Sequence, residues 1–133
     1  MPPESCAGRA ASWPASPTCF RASRALVTHP RLLLLDEPFA ALDEITRRAL
    51  ADDVLALWAD SRPAIVFVTH NVEEAVYMAS RVIVMSRGPG RIAGDVAVEA
   101  PLPRPKGFRA SEAFRRTVEI VSGTLETAME PAA

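Results

Sequence analysis

Along this chain, blocks of uninterrupted apolar residues alternate with blocks whose apolar positions recur every three or four residues. The run LLLL at 32–35 follows Pro30 and Arg31, and a run without polar alternation predicts a parallel strand covered on both faces. Pro38 breaks it. From Glu44 to about Asp60, Ile45, Leu50, Val54, Leu57 and Trp58 fall at near-helical spacing, with Asp43 as N-cap and Glu44 and Arg48 as an i,i+4 pair. Residues 61–63 turn the chain into the β-branched run 64–69, which predicts a second strand, and Asn71 and Glu74 stand at capping-box spacing at the head of another helix. Residues 81–86 read as a third strand, with Met78, Val82 and Val84 as core. Gly88, Pro89 and Gly90 then form a turn before a more exposed strand over 92–98. Pro101, Pro103 and Pro105 form a short extended connector. After it Ser111 caps a last helix with Phe114, Val118, Val121, Leu125 and Met129 on one face, which must dock on something. Strands alternating with helices predict an α/β fold with a parallel sheet.

Residues 1–22 carry four prolines, both cysteines and a tryptophan without helical or strand period, and read as irregular or disordered. Residues 23–28 read as the end of a helix stopped at His29 and Pro30. At 133 residues, 49% hydrophobic and 23% charged with a net charge of -1, the composition is that of one ordinary globular domain or part of one. The 15 basic residues are interspersed with 16 acids. No basic face emerges, which argues against nucleic acid as a partner. Cys6 and Cys19 have neither CxxC spacing nor a histidine cluster beside them, so a metal or disulfide scaffold is not indicated. The apolar runs fall far short of the roughly 20 residues of a membrane helix, so no direct membrane span is expected. The start, with Pro2, Pro3 and Glu4, lacks the apolar core of a secretory signal, which leaves the cytoplasm as the default.

The chemistry concentrates in LLLLDEPFAALD at 32–43. A strand ending in Asp36 and Glu37 brings two acids to one sheet edge, where Mg²⁺ and an attacking water can be held together. Read locally, Asp36 also serves as a turn acid or helix cap, Glu37 as a solvated surface acid and Asp43 as an N-cap alone. His70 follows one strand and precedes a capped helix, which places its imidazole at the same edge; a lone histidine there is otherwise structural. Glu73 and Glu74 read as a capping partner and a solvated face. Lys106, the only lysine, lies in RPKGF, so the chain contains no GxxxxGK[ST] loop to cradle phosphates.

RLLLLDEPFAALDEITR followed by VFVTHNVEEAVYMASRVIVMS resembles the C-terminal half of the ATP-binding subunit of an ATP-binding cassette (ABC) transporter. Residues 32–37 match its Walker B strand, 41–43 its D-loop, and Thr69 and His70 its switch-histidine motif. The match is close over about 23–94 and extends loosely to the C-terminus. DEPFAALD, THNVEEAVYMASRVIVMS and the GPGRI turn are similar to the importers of nitrate, sulfonates and taurine. The resemblance implies a P-loop NTPase-type parallel sheet with flanking helices, its N-terminal half missing. It also implies ATP and Mg²⁺ as cofactors, with Asp36 holding Mg²⁺ through water, Glu37 as the catalytic carboxylate and His70 at the γ-phosphate. Asp43 would reach across a dimer of ATPase subunits seated under transmembrane permeases, at the inner face of the cell membrane. Asn71 stands where the family more often has Asp, and it too caps helices. On this reading the chain divides into residues 1–22, unlike the family, residues 23–100, half of an ATPase domain, and residues 101–133, a proline connector and amphipathic helix.

The departures are abrupt. An adenine-stacking aromatic, the phosphate loop, a glutamine loop and the LSGGQ-type signature are absent, and the chain contains no glutamine. Counted back from Arg24 and Ala25, the signature would fall near Trp13, Pro14 and Ala15. Residues 1–22 have the proline, serine and arginine mixture of a GC-rich strand read in a wrong frame, so a frame error or mispredicted start joined to a true C-terminal half is expected. A DNA-repair or chromosome-type cassette ATPase would share Walker B and the D-loop, but EEAVYMASRVIVMS argues against it, and two further readings stand beside a truncated importer ATPase. One is a non-catalytic interaction fragment or remnant that pairs with a full ATPase or permease. The other is one half of a split ATPase. In each case the strands are expected to present open edges.

Overall fold

The computed structural model describes residues 28–131. The irregular segment 1–22 and nearly all of the helix end expected over 23–28 lie outside the described residues. The elements are β1 (Leu32–Asp36), α1 (Glu44–Ser61), β2 (Ala64–Val68), α2 (Val72–Met78), β3 (Arg81–Met85), β4 (Ile92–Ala97), a single 3₁₀ turn (Phe108–Ala110) and α3 (Glu112–Met129).

Each α-helix starts at a side chain that takes up one of its unpaired first-turn amides. Asp43 accepts from the Thr46 N–H at 3.2 Å, Asn71 from the Glu74 N–H at 3.0 Å, and Ser111 from the Phe114 N–H at 3.2 Å. The reciprocal half of the expected capping box is not made. The Asn71 N–H donates instead to the Thr69 hydroxyl at 3.1 Å, and the Glu74 carboxyl turns inward, where it is 9% exposed. Glu44 and Arg48 pair at 2.6 Å. α1 stops where Arg62 enters the left-handed region at φ 46° and returns its N–H to the Trp58 carbonyl at 2.7 Å.

β1 and β2 pair in parallel, Leu32 opposite Ala64 through Asp36 opposite Val68, and α1 lies between them in sequence. The α/β reading holds for this unit. Two expectations fail beyond it. β3 does not join the parallel pair but runs antiparallel to β4, Arg81 opposite Ala97, with a register shift between Val84 and Met85. Its partner is local: the turn at 86–91 closes with the Ser86 N–H donating to the Arg91 carbonyl at 2.8 Å and the Arg91 N–H to the Ser86 hydroxyl at 3.2 Å. β1 is also not covered on both faces. Strand side chains alternate between faces, and Leu34 on one of them is 68% exposed, with Leu32, Val66 and Val68 exposed beside it. Among the described residues no element covers that face.

The core is one cluster running from Phe39 through Leu50, Ala51, Val54 and Leu55 of α1 and Val76 and Tyr77 of α2 to Val82, Val84, Phe114 and Val121. It reaches the parallel strands through Phe39, 1% exposed, whose ring centroid lies 5.6 Å from that of Phe67. Ile45, expected on the inner stripe of α1, is 82% exposed, and Ala51 and Leu55 are buried instead. α3 docks on α2 and the β3–β4 pair. At the crossing a Cβ added to Gly94 would stand 2.5 Å from the Thr124 methyl. Met129, at the end of the expected face, stays exposed.

The connector is not simply extended, because it inserts Arg104 beneath α2. Arg104 is 8% exposed, and its guanidinium donates to the carbonyls of Tyr77 at 2.9 Å, Val76 at 3.0 Å and Ala100 at 3.0 Å, and to that of Ala79. It also sits 4.9 Å over the Phe108 ring. Burial holds its acidity above that of a free guanidinium. Arg109 stacks 3.6 Å over the Tyr77 ring, whose hydroxyl donates to Asp52.

Candidate functional site

The register of β1 against β2 sets the site. With Asp36 opposite Val68, the next residues of the two strands emerge side by side, and the Glu37 N–H extends the ladder to the Val68 carbonyl at 2.7 Å. Glu37 itself is at φ 43°, a left-handed conformation that costs a non-glycine residue about 1–3 kcal/mol and tends to occur where function over-determines the backbone. The loop folds back at once. The Ala40 N–H donates to the Glu37 carbonyl at 3.3 Å and the Leu42 N–H to Phe39 at 3.1 Å, with the buried Phe39 ring as the anchor.

In this geometry His70 Nδ1 lies 2.7 Å from Glu37 Oε1, across 33 residues of sequence. An ionised carboxylate only accepts, so Nδ1 carries the proton and donates it. Glu37 Oε2 and His70 Nε2 remain available, and both side chains are substantially open, 43% and 78% exposed. Asp36, exposed at the end of β1, makes no hydrogen bond or ion pair with any described side chain. Asp43 stands apart as the cap of α1, and its bond from Thr46 holds its carboxyl below the usual range. The sequence thus places Asp36, Glu37 and His70 at one edge, and the structure brings the last two into contact.

Behind this edge Glu74 bridges α2 to α1. Burial pushes its carboxyl up, opposed by a hydrogen bond from Thr69 and the charge of Arg47, whose Nε lies 3.7 Å away. Arg47 in turn donates to the Leu42 carbonyl at 3.1 Å, in the loop that follows Glu37. A groove of about 400 Å³ between α1 and α2 is lined by Arg47, Arg48, Glu73 and Arg109 among others, and includes none of Asp36, Glu37 and His70. Sequence reasoning missed Arg104, Arg109 and the Tyr77–Asp52 bond. The only local signal was the aromatic pair Phe108 and Phe114 on either side of Arg109.

No group of three or more metal-ligating side chains occurs among the described residues. Asp36 therefore fits Mg²⁺ only as one carboxylate among ligands drawn from water and phosphate, which is the usual habit of that ion. A triphosphate has no glycine-rich cradle anywhere in the sequence.

Parallel strands joined through a helix, with acids at their C-terminal edge, form part of a P-loop ATPase-type sheet. No family model matches the chain. It is 52% identical over 104 residues to an aliphatic sulfonates import ATP-binding protein of Nocardia farcinica, covering 74% of this chain and 42% of that protein. It is 47% identical over 92 residues to an ATP-binding protein of Brucella abortus, covering 69% and 35%. It is 43% identical over 84 residues to a nitrate import ATP-binding protein of Synechococcus elongatus, covering 63% and 30%. These relatives bear out the resemblance to ATP-binding subunits of ABC importers of the nitrate and sulfonate type. The chain spans 30–42% of the length of these curated relatives.

Proposed function

We propose that this chain carries the hydrolysis edge of an ABC importer's ATP-binding subunit, for nitrate, sulfonates, taurine or similar solutes. It would act in a dimer of such subunits beneath membrane permeases, at the cytoplasmic face of the membrane. The observation that carries the reading is the 2.7 Å contact between His70 and Glu37, one residue beyond Asp36, at the ends of two parallel strands.

Mg²⁺, when bound, neutralises charge on the phosphate oxygens. Asp36 would hold it with its carboxylate, through water. Glu37 keeps Oε2 free to orient and polarise the attacking water while Oε1 is engaged by His70. His70, donating at Nδ1 to Glu37, would reach the γ-phosphate through Nε2 only as the imidazolium, which donates at both nitrogens, because Nε2 of the neutral Nδ1–H form is an acceptor. Asp43, already spent on its cap, has room at its exposed position for a contact across the dimer. Of the described residues, 28–100 supply this edge and 101–131 pack behind it.

The missing phosphate cradle makes a split ATPase the second reading, favoured by the exposed Leu32, Leu34, Val66 and Val68, a surface suited to pairing with another chain. Both readings are tested by ATP turnover of the full chain alone and mixed with the part of the Nocardia farcinica relative that lies outside the 42% this chain covers. Turnover is expected only in the mixture, falling about 10²–10⁴-fold with Glu37→Gln. A stable but inactive complex would count against both and favour a non-catalytic interaction fragment.

A further inference from the structure

We infer that Arg104 is a positioning residue for the Glu37–His70 pair, acting through α2. This helix has seven residues, too few turns to persist without tertiary support. Its two ends are fixed by different parts of the chain. At the start, Asn71, the neighbour of His70, caps the first turn. At the end, the last turn contains no basic residue and no glycine follows, so the carbonyls left over by the helix lack the usual local partners.

Arg104 fills that role from 25 or more residues away. Its planar fork takes the carbonyls of Val76, Tyr77 and Ala79 together and anchors them to Ala100 of its own segment. Because Arg104 is buried and its guanidinium sits over Phe108, it has little room to follow if α2 slides. A two-turn helix of about 10 Å moves as a rigid body, so a displacement at Ala79 reappears at Asn71 and His70. At 2.7 Å, the His70–Glu37 contact is lost once it lengthens by something under about 1 Å. Residues 101–111 are thus a strap that sets the imidazole at the edge of the sheet.

The catalytic meaning of this strap rests on the proposed hydrolysis edge, but its structural content does not, and the test reads the imidazole directly. In the full chain, ¹⁵N–¹H long-range NMR distinguishes a histidine protonated at Nδ1 from one protonated at Nε2. His29, the other histidine, serves as internal reference. Arg104→Ala is expected to shift His70 away from the Nδ1–H form while leaving His29 unchanged. Arg104→Lys, which keeps the charge but not the fork, should give an intermediate loss. Arg81→Ala, which breaks the exposed Arg81–Asp95 pair on β3–β4, should lower stability without moving His70. A folded Arg104→Ala chain with an unchanged His70 tautomer would overturn the inference. If that variant does not fold, Arg104→Lys decides in the same way, an unchanged tautomer overturning it. A shifted tautomer without ATP turnover in any mixture would leave the strap standing and remove only its catalytic meaning.

Discussion

Phe39→Ala probes how the acidic edge is attached to the rest of the molecule. Phe39 lies two residues after Glu37, is 1% exposed, and packs its ring 5.6 Å from Phe67 of β2. Leu33, Leu35 and Ile65 are outside the core cluster, so the Phe39–Phe67 contact is the main apolar link between the parallel strands and the body. Burial of a phenylalanine side chain stabilises by about 1.5–3 kcal/mol and a tilted ring pair adds about 0.5–1.5 kcal/mol. With the cavity left behind, truncation should cost about 3–5 kcal/mol. Against the roughly 5–15 kcal/mol of an ordinary domain, that is a large share. Urea unfolding of the full chain, followed by far-UV circular dichroism, measures the loss. Native-state hydrogen exchange shows where it falls: the amides of β1 and β2 should lose protection well before those of β3 and β4. Phe39→Leu, which keeps most of the apolar volume, should recover more than half of the loss. A cost below about 1 kcal/mol, or equal loss of protection in both strand pairs, would refute the attachment through Phe39.

Two further substitutions test the packing around the site. Gly94→Ala places a methyl 2.5 Å from the Thr124 methyl of α3; because a β-branched side chain is stiff, the variant should lose about 1–3 kcal/mol by urea unfolding, and Thr124→Ser should restore most of it. Without that rescue, the close helix–strand approach is not the cause. Tyr77 supplies a pH dependence: burial first, and then its bond to Asp52, push its phenol from 10.0 up to about 12. A folded state that favours the protonated phenol draws stability from it that is complete below pH 10 and is lost as pH rises from 10 towards 12. Tyr77→Phe should therefore flatten the alkaline side of the urea midpoint, and an unchanged slope would show that other groups carry it.

How much of this was legible in the sequence depends on the distance over which each interaction acts. The caps at Asp43, Asn71 and Ser111 bond three residues ahead, so composition and spacing were enough to find them. The meeting of Glu37 and His70 spans 33 residues, yet it was readable because two apolar strands, one ending in acids and the other followed by His70, need only pair in parallel and in register. Four leucines in a row, in contrast, say that a strand is apolar without saying which face is covered, and Leu34, in a run that reads as covered on both faces, lies outside. β3 carried the same apolar signal as β2, but a six-residue turn made β4 its partner. Arg104 was invisible for a related reason. In PLPRPKGF it reads as one more solvated cation on a proline connector, and only the fold shows that the open carbonyls of α2 come within its reach.

β1 and β2 deliver a carboxylate–imidazole pair, Glu37 with His70, beside Asp36. The most direct test is the His70 tautomer in the unmodified full chain near neutral pH, compared with Glu37→Ala. Protonation at Nδ1 in the native chain, reverting in the variant to the Nε2–H form of a free imidazole, is the predicted result. A native His70 already in the Nε2–H form and indifferent to the loss of Glu37 would contradict it.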